Sequence, residues 1–250
     1  MSELTHKDLF SKQAAAYAAF RPSYPQKMFD FLLDQFEGRR SAWDCATGNG
    51  QVATVLARYF EIVHATDISR KQLDEAPNIS NVVYSLSPAE KTTFADDSFD
   101  LITVGQALHW FDQPEFFREV NRVGKKGGIL AVWGYSFLQV HSTIDSVILD
   151  FYNNTVGKYW DKARKLVEDE YRSIEFPFQE IVTPTFYINV EWNLTHLAGY
   201  LSSWSATQRF IEVEGIDPVP SIMHELSKFW KEDERKNISF PLFFRLGKIA

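Results

Sequence analysis

Between Ser41 and Trp133 the chain alternates between short apolar runs and longer amphipathic runs. A short apolar run bounded by turn residues predicts a buried strand, and apolar positions three and four apart predict a helix. Such alternation is typical of an α/β fold with a parallel sheet. The predicted strands lie at about 41–46, 61–66, 81–85, 99–104 and 129–133, with helices at about 50–59, 71–75 and 114–122.

The segments on either side have weaker patterns. Apolar faces predict helices at about 4–20 and 26–36, joined by an extended segment because Pro22 and Pro25 interrupt it. A final strand is predicted to begin after Pro241, at 242–246, because proline cannot donate a hydrogen bond within a ladder. The other elements predicted beyond residue 134 are helices at about 142–170, 195–204 and 218–230 and a strand at 185–190.

The segment Ser41–Gln51, SAWDCATGNGQ, joins the first predicted strand of this region to its first helix. A tight turn containing Gly48 and Gly50 places backbone N–H groups beside a ligand and lets that ligand approach the backbone closely. About one strand later, Asp67 ends the second predicted strand, where open α/β sheets bind a ribose. These features predict a ribose-containing ligand at this edge of the sheet.

Three hypotheses fit the turn itself. The spacing Gly48-x-Gly50-x-x-Ala53 satisfies the dinucleotide fingerprint, with Asp67 about 20 residues beyond it. Asp44 disfavours that ligand, because a pyrophosphate needs positive potential at the turn, and favours a ligand that carries a cationic amine. The third hypothesis is a glycine turn that holds no ligand.

The pattern Asp44-x-Ala46-x-Gly48-x-Gly50 resembles motif I of the class I methyltransferases that use S-adenosylmethionine, with Ala46 in place of the usual first glycine. We expect this exchange to tighten the turn without abolishing it. Further stretches resemble the methyltransferase type 11, or trans-aconitate methyltransferase-like, family. They are Phe10-Ser11, Tyr17, Arg21–Pro25, Ala89-Glu90, Asp97–Ile102, Ala107–Phe111 and Lys125–Leu130.

This resemblance, which covers about residues 10–132, implies an α/β, Rossmann-like fold. The family has a mostly parallel seven-stranded sheet with helices on both faces and a helical substrate cap. We therefore expect one structural domain in three parts. Residues 1–40 form N-terminal helices and a lid over the cofactor, with a simple clasp as the alternative. Residues 41–134 form the S-adenosylmethionine-binding core, and residues 135–250 form the substrate cap and the final strands.

The family motifs also imply a set of cofactor-binding residues. Asp67 is expected to accept both ribose hydroxyls, and Asp44 to orient the amine of the ligand. Pro88 replaces a polar residue that often precedes Ala89, so we expect the Ala89 N–H to read the adenine edge. The full set is Asp44, Ala46, Gly48, Gly50, Asp67, Ile68, Ala89, Glu90 and Gln106, with Tyr17 and Arg21 from the lid.

His109 is the candidate catalytic residue, because it follows the fourth predicted strand at the edge where ligands bind. Histidine titrates near neutral pH and therefore suits a general base. A hydroxyl, amine or thiol acceptor needs such a base, whereas an ionised carboxylate does not. The alternative is a histidine that only hydrogen-bonds to a neighbouring loop. The substrate-binding candidates are Tyr24, His109, Trp110, Trp204 and Arg209, and Arg21 or Arg209 would pair with a carboxylic acid.

Composition and charge argue against several classes of partner and site. The net charge of −7 is spread along the chain and argues against nucleic-acid or anionic-membrane partners, which need clustered Lys and Arg. Cys45 is the single cysteine, which excludes an internal disulfide framework, and the six histidines show no metal-ligand spacing. We see no secretory signal and no apolar run of about 20 residues, so we expect a cytoplasmic protein, and we expect a monomer.

The sequence thus predicts an S-adenosylmethionine-dependent methyltransferase that acts on a small molecule, with a carboxylic acid as a candidate acceptor. S-adenosylhomocysteine would be the product of the donor. One alternative is an NAD(P)-dependent oxidoreductase on the same fold. Another is a catalytically silent methyltransferase-like fold that works as an interaction module, which the intact Gly48, Gly50 and Asp67 disfavour.

Overall fold

The strand that leads to the glycine turn, β1 (Ser41–Cys45), is buried along its whole length. It is seen in a computed structural model that describes residues 20–250. A central strand of a parallel sheet is covered on both faces, which explains its run of buried positions. Trp43 is fully buried and packs against Phe99 and Phe116. Truncating such a side chain costs about 3–5 kcal/mol, so Trp43 anchors the strand that enters the turn.

Seven further strands complete the sheet. They are β2 (Ile62–Asp67), β3 (Val82–Leu86), β4 (Phe99–Gly105), β5 (Gly124–Tyr135), β6 (Gln179–Ile181), β7 (Phe186–Trp192) and β8 (Lys236–Lys248). The order is β3-β2-β1-β4-β5-β8-β6, and β7 pairs with β8. The pairs among β1 to β5 are parallel, whereas β8 is antiparallel to β5 and β6. The mostly parallel Rossmann-like sheet predicted from the sequence is confirmed.

The order of the strands reverses around β1. The chain adds β2 and β3 on one side of β1 and then returns to add β4 and β5 on the other. Ligands of open α/β sheets bind in the crevice outside the carboxyl ends of the strands at such a switch point. The switch point therefore places the expected site at the residues that follow β1, β2 and β4.

Helices alternate with the parallel strands, as the apolar periodicity predicts. They are α1 (Gln26–Leu33), α2 (Gln51–Leu56), α3 (Arg70–Asp74), α4 (Gln113–Val123), α5 (Ser142–Asp150), α6 (Arg164–Glu168), α7 (Leu194–Ser202), α8 (Ser205–Glu214) and α9 (Val219–Leu226). Side-chain caps fix several starts, because the first N–H groups of a helix lack partners within it. Asp112 accepts the Glu115 N–H at the start of α4, and Asn193 accepts the His196 N–H at the start of α7.

The chain divides into two compact units. The core unit comprises residues 24–136, 165–186 and 242–250. It contains β1 to β6, β8 from Leu242 to Lys248, and the helices between the parallel strands. The second unit comprises, among the described residues, 20–23, 137–164 and 187–241. The division at 40 and 134 into a lid, a cofactor-binding core and a substrate cap stays a prediction.

Three element predictions require correction. The sheet has eight strands among the described residues instead of seven. The last strand does not begin after Pro241 but runs through it, because β8 pairs with β5 only from Leu242 onward, so the missing proline N–H falls outside that ladder. The helix α8 has no counterpart in the prediction. The predicted helix at 4–20 and the candidate Tyr17 lie outside the described residues, except for position 20.

Candidate functional site

The turn after β1 passes through three residues with left-handed backbone conformation: Ala46 (φ 54°), Gly48 (φ 58°) and Gly50 (φ 80°). Glycine takes this conformation without steric cost, whereas alanine takes it rarely. Ala46 nevertheless adopts it here, so the turn passes through a left-handed residue at the position where the motif usually has its first glycine. Gly50 is also the residue from which α2 starts, so the turn leads directly into the helix.

Asp44 lies beneath this turn with 1% of its surface exposed. Its Oδ2 accepts the Thr47 hydroxyl and, at 3.0 Å, the N–H of Ala53, while its Oδ1 accepts the Thr103 hydroxyl at 2.9 Å. Burial raises the pKa of Asp44 to about 6, although these hydrogen bonds lower it. The side chain thus ties together β1, β4 and the first turn of α2. Its predicted contact with a ligand amine stays a prediction.

Asp67 ends β2 at the rim of the same turn and is only partly buried. Its Oδ2 accepts the Gly48 N–H at 2.9 Å and its Oδ1 accepts the Ser69 N–H at 2.8 Å. Burial raises the pKa of the Asp67 carboxyl, while the bonds from Ser69 and Gly48 lower it. A carboxylate has about four acceptor positions, so two backbone donors leave capacity for further hydroxyl donors.

The two carboxylates bear on the dinucleotide hypothesis. A pyrophosphate in that motif is bound by backbone N–H groups of the turn and of the helix N-terminus. Here the Gly48 N–H donates to Asp67 and the Ala53 N–H to Asp44. The Gly50 N–H donates to the Thr47 carbonyl within the turn. These donors are already used, and two of their acceptors are acidic, so this turn disfavours a pyrophosphate.

Apolar side chains lie exposed beside Asp67. Ile68 follows it directly and is 51% exposed, and Leu86 at the end of β3 is 47% exposed. Since Asp67 and Leu86 are partners in the β2–β3 register, both apolar groups lie at the same edge of the sheet. An exposed apolar surface next to a hydroxyl-binding carboxylate suits a nucleoside, whose base is flat and apolar on its faces.

Ala89 and Glu90 follow β3. Ala89 is buried, and Glu90 Oε1 accepts the Asp112 N–H at 3.0 Å. Glu90 therefore links the loop after β3 to the start of α4. The adenine contact expected of Ala89 stays a prediction.

Gln106 follows the end of β4 with a left-handed backbone, at φ 54°. Its N–H donates to the Trp133 carbonyl at 2.7 Å, and its side-chain oxygen accepts the Tyr135 N–H at 2.7 Å. Such a conformation in a non-glycine residue persists only where neighbours hold it, and it is concentrated at functional sites. Gln106 thus connects the ends of β4 and β5 at the edge where the ligand is expected.

Tyr24 lies over the end of β4. A Cβ added at Gly105 would lie 3.3 Å from the Tyr24 hydroxyl and 3.5 Å from the indole nitrogen of Trp133. The Tyr24 and Trp133 rings meet edge to face with centroids 5.5 Å apart. The glycine at 105 therefore permits the close approach of Tyr24 to the strand end.

His109 lies in a short 3₁₀ turn, Leu108–Trp110, and is 8% exposed. Its Nδ1 lies 2.8 Å from the hydroxyl oxygen of Tyr171, and its ring lies 4.7 Å from that of Trp110 between centroids. Tyr171 was not expected from the sequence. The predicted alternative, a histidine bonded to a neighbouring loop, describes this contact, whereas the catalytic role stays a prediction.

The other three candidates belong to the second unit. Arg21 donates from Nη2 to the Ser203 carbonyl at 3.0 Å and lies over the Tyr200 ring. Arg209 pairs with Asp161 at 3.2 Å. Trp204 is buried in an aromatic cluster. Its ring neighbours are Phe137, Phe151, Tyr152, Trp160 and Tyr200.

Both arginines thus have partners within the chain, so recognition of a carboxylic acid by either one stays a prediction.

Sequence reasoning missed the neutral side chains that support the site. Thr47 and Thr103 donate to Asp44, and Tyr84 packs its hydroxyl against Gly50, where an added Cβ would lie 2.6 Å away. A threonine within a buried apolar strand, as at 103, is the one signal that points to a polar partner. Between residues 20 and 250, no group of three metal-ligating side chains is found, and no helix has the length and apolarity to cross a membrane.

The chain is similar to known methyltransferases in sequence and in structure. Residues 43–132 match a family model described as a methyltransferase domain. A Dictyostelium discoideum protein named as a methyltransferase is 32% identical over 249 residues, which cover 96% of this chain and 95% of that one. The matched domain begins in β1 and ends in β5, so it includes the turn, Asp67 and the end of β4.

Solved structures agree with this match. A structure from Anaeromyxobacter dehalogenans, described as a type II methyltransferase, has a TM-score of 0.85 and 34% identity over 93% of this chain and 99% of that one. A Haemonchus contortus phosphoethanolamine N-methyltransferase, in complex with phosphomonomethylethanolamine and S-adenosylhomocysteine, has a TM-score of 0.51 and 16% identity. It covers 99% of this chain and 59% of that one, and it shows the shared fold alone.

Proposed function

The chain belongs to the class I methyltransferases that use S-adenosylmethionine, and from that premise we propose that it methylates a small molecule. The observation that carries the proposal is the arrangement of two carboxylates around one glycine turn. Asp44 holds the turn from below, and Asp67 lies at its rim with acceptor capacity to spare. The trans-aconitate methyltransferase-like subfamily is part of this proposal.

The residues present fit this cofactor. Asp67 would accept the ribose hydroxyls, and the exposed side chains of Ile68 and Leu86 would contact the adenine faces. Gly48 has open space where a Cβ would be, since the nearest atom is a Gln72 oxygen at 3.8 Å, so the ligand can approach its backbone. Asp44 lies inside the turn with a negative charge near neutral pH, which favours a cationic amine nearby.

The chain's own contribution to catalysis is alignment. Bound S-adenosylmethionine supplies an activated methyl group on a positively charged sulfur. Holding the acceptor in line with that methyl group removes an entropic barrier of roughly 7–11 kcal/mol. Gln106, fixed by β5 through two hydrogen bonds, and Tyr24, lying over Gly105, are the residues that would position the methionine end and the acceptor. Exclusion of water suits a step in which the sulfonium charge is lost.

For the acceptor we propose a small carboxylic acid, methylated on oxygen. A carboxylate is ionised at neutral pH and attacks without transferring a proton to the protein. An acceptor of this class needs no general base, which agrees with a His109 whose Nδ1 lies against the Tyr171 hydroxyl in the core unit. A cytoplasmic location and a monomeric state belong to the same proposal.

Calorimetric titration with S-adenosylmethionine and S-adenosylhomocysteine, with NAD as the control ligand, tests the cofactor. We expect micromolar binding of both adenosyl ligands and none of NAD. Incubation with a labelled methyl donor and a panel of acids, alcohols and amines then tests the acceptor. Binding of NAD alone would indicate the oxidoreductase, and binding of neither ligand by the folded protein would indicate the interaction module.

A further inference from the structure

The hydroxyl of Tyr171 meets Nδ1 of His109 at 2.8 Å inside the core unit. Tyr171 is fully buried and His109 nearly so. The two residues are separated by 62 positions in the chain, and they come from different elements: the turn after β4 and the segment after α6. A buried contact of this kind between a phenol and an imidazole sets which ring nitrogen carries the proton.

The backbone around Tyr171 has an unusual conformation. Glu170 and Tyr171 are consecutive non-glycine residues in the left-handed region, at φ 56° and 58°. Such conformations persist where the surroundings over-determine them, and they are concentrated at functional sites. The segment is therefore a candidate for a role beyond packing.

Three residues hold the segment in place through four contacts. Arg245 Nη1 donates to the Tyr171 carbonyl at 2.8 Å and to the Ile174 carbonyl at 2.9 Å. The Ser136 hydroxyl donates to Glu170 Oε1 at 3.0 Å. The Tyr171 ring also packs edge to face on Phe243, with centroids 5.1 Å apart. Strand β8, together with Ser136 just after β5, thereby holds the segment that carries the Tyr171 hydroxyl.

We propose that Tyr171 is a positioning residue that donates its hydroxyl proton to Nδ1 of His109 and so keeps the ring in the Nε2–H tautomer. A phenol O–H is a stronger acid than the N–H of a neutral imidazole, and an imidazole nitrogen is a stronger base than a phenol oxygen. The O–H···N arrangement is therefore favoured over N–H···O at the same distance. In a buried site with a fixed hydroxyl, this preference selects one tautomer.

In this tautomer His109 has a different role toward the substrate, and that role rests on the proposed function. A ring with its proton on Nε2 and its Nδ1 engaged presents a hydrogen-bond donor, not a proton-accepting base. A donor recognises an acceptor group on the substrate, such as a carboxylate oxygen that arrives already ionised. Tyr171 would thus select for acceptors that need no base and against neutral alcohols and amines.

The test is the tautomer itself, read by ¹⁵N NMR on protein labelled at histidine and held at pH 8. The His109 signals are assigned from through-space contacts with the Trp110 indole, whose ring centroid lies 4.7 Å away. We expect the wild-type ring to carry its proton on Nε2. Tyr171→Phe, which removes only the hydroxyl, should give a mixture of tautomers, whereas the control Tyr187→Phe on the exposed face of β7 should not.

A wild-type ring protonated on Nδ1 would overturn the proposal and restore His109 as a base. An Nε2–H ring that is unchanged in Tyr171→Phe would overturn the role of Tyr171. The wild-type spectrum alone shows which nitrogen carries the proton. The proposal can therefore still be contradicted if Tyr171→Phe does not fold. The spectrum also needs no turnover, so absence of methyl transfer to acids would contradict the proposed function alone. Where turnover is found, Tyr171→Phe should raise KM for the acid roughly tenfold with a smaller change in kcat.

Discussion

The N–H of Ala53, in the first turn of α2, donates to Oδ2 of Asp44 at the end of β1, at 3.0 Å. A carboxylate at this position satisfies a donor that has no partner within the helix, and its charge lies favourably at the helix N-terminus. The cap comes from a preceding strand and not from the residue before the helix. The stability of the glycine turn therefore depends on whether the Asp44 carboxyl is protonated.

The first prediction concerns the pH dependence of stability. Burial raises the pKa of Asp44 from 3.8 to about 6, so the folded protein holds a proton that the unfolded chain releases in this window. Stability from this group is full below pH 3.8 and is lost as the pH rises through 6. A shift of about two pKa units corresponds to about 3 kcal/mol. Relative to Asp44→Asn, the wild type should lose about this much free energy of unfolding between pH 3 and pH 7.

Urea unfolding of both proteins at several pH values measures this difference. Asp34→Asn, at the exposed end of α1, is the matched control and should follow the wild-type curve. Parallel curves for the wild type and Asp44→Asn would mean that Asp44 does not titrate in this window.

The second prediction separates backbone strain from steric overlap in the turn. Gly48 and Gly50 both have positive φ, but an added Cβ meets nothing closer than 3.8 Å at Gly48 and lies 2.6 Å from the Tyr84 hydroxyl at Gly50. Gly48→Ala should therefore cost about 1–2 kcal/mol from strain alone, and Gly50→Ala should cost more.

The double variant Gly50→Ala with Tyr84→Phe isolates the overlap. Removing the Tyr84 hydroxyl should recover part of the extra loss of stability in Gly50→Ala, but not the part due to backbone strain. Urea unfolding of the wild type, the two single variants and the double variant measures these free energies. Equal costs for the two glycine substitutions would show that Tyr84 moves aside freely.

The third prediction concerns Asp67 and the cofactor. Hydrogen bonds to a charged acceptor contribute about 1.5–3 kcal/mol each, so losing two ribose contacts should weaken S-adenosylhomocysteine binding roughly a hundredfold or more in Asp67→Ala. Asp67→Asn retains one acceptor oxygen and should give an intermediate affinity. Titration calorimetry measures both, with Asp34→Ala as the control of unchanged affinity. Wild-type affinity in folded Asp67→Ala would contradict the assignment of Asp67.

The elements around the turn were predictable because their determinants are local. Gly48, Gly50 and Asp67 lie within about 20 residues of one another. Their places in the turn and at the end of β2 follow from local backbone conformation and from the position of a strand end. The alternation of strands and helices likewise depends on apolar periodicity within short windows, and so the core fold was predicted correctly.

What was missed depends on contacts between distant positions. Thr103 donates to Asp44 across 59 positions, and Tyr171 meets His109 across 62. The sequence around Thr103 or Tyr171 contains no pattern that predicts its partner. The start of β8 was misjudged for a related reason. The rule that proline cannot donate within a ladder could be applied to Pro241 only if the strand pairing at that residue were known, and the sequence does not give that pairing.

The fourth prediction decides between two roles for Arg209. Its guanidinium pairs with Asp161 at 3.2 Å, and the two side chains are 19% and 30% exposed. For a partly buried pair we expect a coupling of about 1 kcal/mol in a double-mutant cycle of Arg209→Ala and Asp161→Ala, measured by urea unfolding. A coupling of this size would indicate that the pair stabilises the second unit.

Kinetics with a carboxylic acid substrate supply the other half of this test. If Arg209 binds the acid, Arg209→Ala should raise KM. Asp161→Ala should then leave KM low, because the arginine cation remains in place. A stabilising arginine predicts small and equal changes in KM for the two variants, because neither group touches the substrate. We expect the second pattern, since the guanidinium already has a carboxylate partner within its own unit. A KM raised only in Arg209→Ala would return Arg209 to the substrate site.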